Sequence, residues 1–323
     1  MEKYELLRNE TRPSWTGPPL YRIRALRDFR VNDQTVKAGE RGGWLAAEKN
    51  LSQEGHAWVA DDAAVYGDAA ITGDALVCNS ARVCGEAIVR MKAVVGEKAF
   101  VCGASRVLGS AQVCGETLIT GNVVIAEHAL VAGSSTATGF AYVGGNAFVM
   151  GNARISDYAC IRGDAIIYGF AQIGGHARIH DLGLVCDRAV VTENAVIKGD
   201  ARIGGAAHVQ GDAWIGGSAV VIGNATVGDC TRLGVCAEVR TNSDYLTIIS
   251  FCPSKENTVQ RERACITFAR DFKNGICVIW GNRKGSLDTV RQICENDLDK
   301  SKLELFELAA ALAEHQINPE SNL

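Results

Sequence analysis

With 323 residues and a formal net charge of −4, the chain can hold more than one core but lacks the basic surface on which nucleic-acid binding depends. The stretch from Met1 to Arg12 is charged throughout and has no apolar centre, so neither an export signal nor a membrane span is expected there. A cytoplasmic protein is expected.

The first segment, residues 1–56, reads as an arm and a cap. Pro13, Pro18 and Pro19 break any helix across it. Tyr21 to Leu26 and Thr35 to Lys37 read as short strands flanking a polar turn at Asn32-Asp33. Gly39, Gly42 and Gly43 then break the pattern. The expected job of this segment is to cover the first turn of the repeat that begins at Ala57, whose backbone groups would otherwise invite edge-to-edge pairing.

From Ala57 to about Thr241 the sequence repeats every six residues. Of 31 hexads, 25 start with Ala, 29 carry Val or Ile two residues later, and 19 carry Gly at the fifth position, with Asp, Asn or Glu in nine more. Apolar residues at positions one and three exclude an amphipathic helix and fit a short strand whose first and third side chains point inward. The fifth residue must turn the chain, which Gly, Asn and Asp do at least cost in the left-handed region. Three hexads then close a triangular coil of 18 residues, and stacked coils align Val and Ile into interior columns. The whole repeat makes about ten coils. All five prolines lie outside it, as strands that need every N–H require.

The hexads, together with Gly42-Gly43-Trp44-Leu45, Asn50-Leu51-Ser52-Gln53-Glu54-Gly55 and Trp58-Val59 leading into them, resemble the transferase hexapeptide-repeat family. That resemblance implies a mainly β fold, a single-stranded left-handed parallel β-helix, and an acyltransferase activity. The left hand comes from the resemblance, since spacing alone does not give it. The family's enzymes often carry a loop that interrupts the coils and shapes the active site; no hexad from 57 to 241 is interrupted here.

The 18-residue phase separates three outer faces. On the face of Trp58 the second positions run Trp58, Leu76, Val94, Gln112, Leu130, Phe148, Ile166, Leu184, Arg202 and Val220. Eight of these are large and apolar, which marks an interface. A homo-oligomer through Trp58, Leu76, Leu130, Phe148, Ile166, Leu184 and Val220 is expected. Trimers are common in the resembling family, and the geometry equally allows a dimer. The second face is rich in hydroxyls, among them Thr120, Thr136, Thr138, Ser156, Thr192 and Thr226, and reads as the solvent face. The third carries Arg90, Arg106, Arg162, Arg178, Lys198 and Arg232.

Within that third face Arg162, His180 and Lys198 are 18 apart and should form a ladder, with His176 at the corner beside it. Two flanking cations disfavour a third charge on His180, and a neutral imidazole is the form a general base needs. Together with the resemblance, this gives His180 or His176 as candidate catalytic base. Arg162, Arg178 and Lys198 are then the residues that meet the phosphates of acetyl-CoA, the expected co-substrate. The acceptor, a small molecule with a hydroxyl or amine, is not identified. The plain alternative is a solvated basic face on a non-catalytic scaffold or binding module. A third reading, a zinc enzyme like the β-helical carbonic anhydrases, would use His176 and His180 with His208 or His128. A corner histidine and the residue four on are roughly 13 Å apart in extended chain, so no metal is expected. Most of the twelve cysteines copy a repeat position, as Cys84 and Cys102 do on neighbouring coils, and thiols are expected.

Residues 242–323 read as a small α+β domain. Tyr245 to Phe251, Ala264 to Arg270 and Ile276 to Trp280 are expected strands, the last two joined at Asn274-Gly275. One helix should run from Ser286 to about Cys294. A second should start with a capping box at Ser301 and Glu304 and stop at Asn318-Pro319.

Overall fold

The structure, a computed structural model, describes residues 2–14, 17–234, 237–250, 264–271, 275–280, 283–297 and 300–317. It forms two compact units, Met1–Gly175 and His176–Leu323, whose boundary falls inside the repeat. Both are built of left-handed parallel β-helix coils, about eleven turns in all. Each hexad supplies one two-residue strand, from Trp58–Val59 to Glu238–Val239. Pairing is parallel and in register at 18 residues, as in Arg82↔Phe100 and Val83↔Val101 of the first unit and Arg178↔Val196 of the second.

The first and third positions of the hexads are buried, giving alanine columns beside columns of Val and Ile. Where Ser105, Thr117 and Ser135 replace alanine they are buried too. Each hydroxyl donates to the carbonyl three residues back, Ser105 Oγ to Cys102 O at 2.7 Å and Ser135 Oγ to Ala132 O at 2.6 Å, with Thr117 doing the same to Cys114. A small hydroxyl at the corner thus enters the core with its polar group satisfied.

Every fifth position from Asp61 to Asp229 has positive φ. The acidic and amide residues there do more than tolerate the turn. Asp61 accepts the N–H of Asn79 at 2.8 Å, Glu127 that of Gly145 at 2.6 Å, and Asp157 that of Gly175 at 2.9 Å. In the second unit Asp181, Asp187 and Glu193 accept from Gly199, Gly205 and Gly211 at 3.0, 2.8 and 2.8 Å. A corner carboxylate therefore caps the corner amide of the next coil, a donor that the strand ladder leaves out. Met91, at φ 65°, turns the chain with no acceptor to offer.

The cap is larger than expected. Strand Tyr4–Arg12 pairs antiparallel with Leu20–Ala25, which pairs antiparallel with Arg41–Leu45, which in turn runs parallel to Ala64–Val65 of the first coil. Phe29–Val31 and Gln34–Val36 form a hairpin around Asn32-Asp33. Tyr4–Arg12 escapes a sequence reading because most of its side chains are half-buried or exposed and charged. Gly42 does not break Arg41–Leu45. A Cβ there would lie 2.5 Å from Val59 O and from the Trp58 ring, so glycine lets the cap strand approach the first coil. Trp58, expected on an outer interface, is accordingly buried at 1% exposure with the Phe29 ring 5.4 Å from its own, and Leu76, expected there too, is buried at 4%.

Two polar devices fasten the cap. Lys3 is fully buried and its Nζ donates to Ala57 O at 2.8 Å; burial lowers its pKa to about 8. On the surface Trp44 Nε1 donates to Asp62 Oδ1 at 3.1 Å. The guanidiniums of Arg12 and Arg22 lie 4.7 and 5.0 Å from the Trp44 ring centroid, and 3.6 and 3.4 Å from that same carboxylate. The hydrogen bond from Trp44 and these cations hold the Asp62 carboxyl below its usual range.

In the second unit the coils end on a four-stranded antiparallel sheet of Tyr245–Ser250, Ala264–Arg270, Ile276–Trp280 and Arg283–Ser286. Ala264–Arg270 and Ile276–Trp280 match the expected strands; Arg283–Ser286 was not expected, and Asn274 and Asn318-Pro319 lie outside the described residues. Helix α1 spans Leu287–Asp297 and α2 spans Lys300–Ile317, so Ser301 lies inside the helix it was expected to cap. One sheet face packs on both helices through Phe268, Val278, Trp280, Val290, Phe306 and Ala310. The other meets the last coil, where Thr267 Oγ1 accepts Arg232 N at 3.0 Å and Ile279 abuts Gly234. The domain thus closes the β-helix, as the arm does at the start; α2 buries Phe306, Ala309, Ala310, Ala313 and Ile317 within it and leaves Leu305, Leu308 and Leu312 exposed. Cys230 is disulfide-bonded, against the expectation of thiols throughout.

Candidate functional site

The third face of each unit carries the residues of interest, on outward second and fourth positions. In the second unit Arg178 and His180 flank the buried Ile179 on one strand, and His180 N donates to Ile197 O at 2.9 Å. That register sets Lys198 next to His180 on the following coil, as expected. Arg178 and Lys198 are exposed and His180 is half-buried. From Arg178 to Gly234 the outward positions are Arg178, His180, Val196, Lys198, Trp214, Gly216, Arg232 and Gly234, with no acid among them. Neighbouring carboxylates sit on the corners, where Asp181 and Glu193 are engaged with backbone amides. The outcome is a basic strip framed by acidic edges.

His176 belongs to one of those edges. It is exposed, and its N–H donates to Glu193 O at 2.6 Å. It precedes the face on which His180 lies, so the two histidines occupy different columns. Arg162 belongs to the first unit, where its guanidinium lies 4.5 Å from the centroid of the Tyr142 ring.

The aromatic partners are the part that sequence reading missed. Tyr142 lies across Gly144 and Trp214 across Gly216: a Cβ on Gly144 would collide with Tyr142 Oη, and one on Gly216 would sit 2.5 Å from Trp214 Cη2. Each ring is thereby laid along the wall under a cation from the neighbouring coil, Arg162 over Tyr142 and Lys198 over Trp214 at 5.0 Å. Tyr142 Oη also donates to Glu127 at 2.9 Å; burial and this carboxylate push its pKa up. Such contacts are worth about 0.5–1 kcal/mol at exposed sites, enough to restrict two long side chains while leaving their N–H donors available. The signal was present as aromatic-x-Gly at positions two and four with a cation 18 residues from the glycine.

A second pair was also missed. His56 Nδ1 lies 2.9 Å from Asp74 Oδ1, across one 18-residue step at a corner of the first unit. A carboxylate on one ring nitrogen fixes an imidazole and leaves the other to work as a base, but this pair stands apart from the cationic strips. No protein-family model matches the chain, and no curated protein matches it at a significant level.

Proposed function

We propose that the protein is an acyltransferase that moves an acetyl group from acetyl-CoA to the hydroxyl or amine of a small acceptor, and that it works from the basic strip of the second unit. The observation that carries this reading is Arg178, His180 and Lys198 together on two adjacent coils with no acid at the outward positions between them. Arg178 and Lys198 are placed to meet phosphates, with Lys198 steadied by Trp214; Arg162 adds a cation of the same kind in the first unit. His180 takes the acceptor's proton as the acceptor attacks the thioester carbonyl. The C–S bond then breaks, and the CoA thiolate leaves with a proton returned from the imidazolium. The resemblance of the hexads to the transferase hexapeptide-repeat family supports the same reading. Chromatographic measurement of free CoA released from acetyl-CoA against a panel of amines and sugars tests it; release that needs both acceptor and His180 supports it, and hydrolysis unaffected by His180→Ala refutes it.

A scaffold reading rests on a different observation. In the first unit Phe148, Met150, Ile166 and Tyr168 present 38–40% of their surface on adjacent coils of the apolar face. A part-exposed aromatic and methionine cluster of this kind is typical of an interface core, and we propose that copies of the chain associate through it. With Trp58 under the cap and Leu76 buried, the available face starts at Val94 and includes Leu130, Phe148 and Ile166. Leu184 and Val220 are half-buried on the corresponding face of the second unit.

A further inference from the structure

Cys84 and Cys102 occupy the same outward position on consecutive coils of the first unit. Val83↔Val101 is a register pair, and Cys84 N donates to Val101 O at 2.9 Å, so the two cysteines follow directly in line. Parallel neighbours stand about 4.8 Å apart, inside the window of roughly 4.4–6.8 Å between Cα atoms that a disulfide spans. Both are half-buried thiols, and the Cys84 side chain hydrogen-bonds to Cys102 on one side and to the Tyr66 hydroxyl on the other. Of the other described cysteines of the coils, Cys230 is already disulfide-bonded, and the rest lack this relation. Cys78 and Cys114 share a column but are two coils apart, with Gly96 between them, at about 9.6 Å by the same spacing. Cys160 and Cys186 lie on different faces.

We propose that Cys84 and Cys102 form a thiol modification site that takes a small-molecule disulfide such as oxidised glutathione and closes to a disulfide joining two neighbouring coils. The Cys102 thiolate attacks one sulfur of the small disulfide, forming a mixed disulfide and releasing one reduced thiol. Cys84 then attacks the protein sulfur of that mixed disulfide; the Cys84–Cys102 bond forms, the second small thiol leaves, and it takes up the proton that Cys84 gives up. Two protein thiols are oxidised and one small disulfide is reduced to two thiols. Burial pushes the Cys84 thiol up, while the Tyr66 hydroxyl opposes this. Cys84, held between Tyr66 and Cys102, is placed to close the bridge, and Tyr66, donating to its sulfur, is a positioning residue for the closing step. The bridge lies beside Leu20, Trp44 and Tyr66, which pack where the cap meets the coils.

The full chain is equilibrated with glutathione buffers of rising oxidised fraction, quenched by alkylation, and read by intact mass and peptide mapping. The expected result is loss of two hydrogens mapped to a Cys84–Cys102 peptide pair in the folded protein. Cys84→Ser should halt at a glutathione adduct on Cys102. Tyr66→Phe, with circular dichroism unchanged, should slow closure several-fold while leaving adduct formation unaltered. A wild type that accumulates stable adducts on both cysteines, or that bridges either of them to a third, overturns the proposal. Equal closure rates for wild type and Tyr66→Phe overturn the role of Tyr66.

Discussion

Lys198 Nζ lies 5.0 Å from the centroid of the Trp214 indole on the next coil, and the ring can lie there because Gly216 offers no Cβ to lift it. The lysine is thus placed by its neighbour's side chain and by a missing one. Trp214→Leu should release it at a cost of about 0.5–1 kcal/mol in stability, and should weaken CoA binding less than Lys198→Ala does. Denaturant unfolding and calorimetric titration check the two parts.

Under the acyltransferase reading, His180→Ala removes turnover while CoA still binds, because the imidazole acts on the acceptor's proton. Lys198→Ala and Arg178→Ala weaken CoA binding instead. Steady-state kinetics with a working acceptor separate the effects; wild-type turnover in His180→Ala would move the base to another residue.

The corners give a stability prediction. Met91 holds φ 65° with 55% of its surface exposed, and Gly109 is the corner of the following coil. Met91→Asn lowers the left-handed strain and supplies an acceptor of the kind that Asp61 gives to Asn79. A gain of about 1 kcal/mol in chemical denaturation is expected; a loss would show that the corner N–H is already satisfied.

The six-residue period makes the inward set legible in the sequence, because Ala and Val/Ile can alternate only as buried strand positions, and Asn32-Asp33 is a visible turn. Tyr4–Arg12 is illegible because an edge strand with exposed charges has no apolar alternation, and Arg41–Leu45 because its glycines serve close approach to the first coil, which only the fold reveals. At the site, the 18-residue phase correctly sets His180 beside Lys198. It says nothing of Tyr142 and Trp214, whose roles depend on side chains lying along the wall.

Lys3 makes stability depend on alkaline pH. Its pKa is about 8 in the folded chain against an ordinary 10.5, so between these values the unfolded chain keeps a proton that the folded chain has released. Stability therefore rises with pH from about 8, by up to about 3 kcal/mol if no other group intervened. Tyr4, whose pKa burial raises, acts oppositely once unfolded tyrosine ionises near pH 10, so the gain is to be read between about pH 8 and 9.5. Unfolding midpoints across that range should climb in the wild type and stay flatter in Lys3→Met.

The apolar face is tested by Phe148→Glu, which places a charge where 40% of a phenylalanine is exposed. Light scattering should show the wild type associated at micromolar concentration and the variant as single chains. A wild type already monomeric would remove the association reading.

For the basic strip of the second unit, the decisive measurement is calorimetric titration of the full chain with CoA, repeated for Lys198→Ala. Saturable binding to the wild type is expected. It should weaken about tenfold or more in Lys198→Ala, the loss of a charge-assisted contact to phosphate, and fall as salt screens the strip. Absence of heat and of any thermal shift at millimolar CoA, or equal binding to both proteins, would contradict the assignment of the strip to CoA.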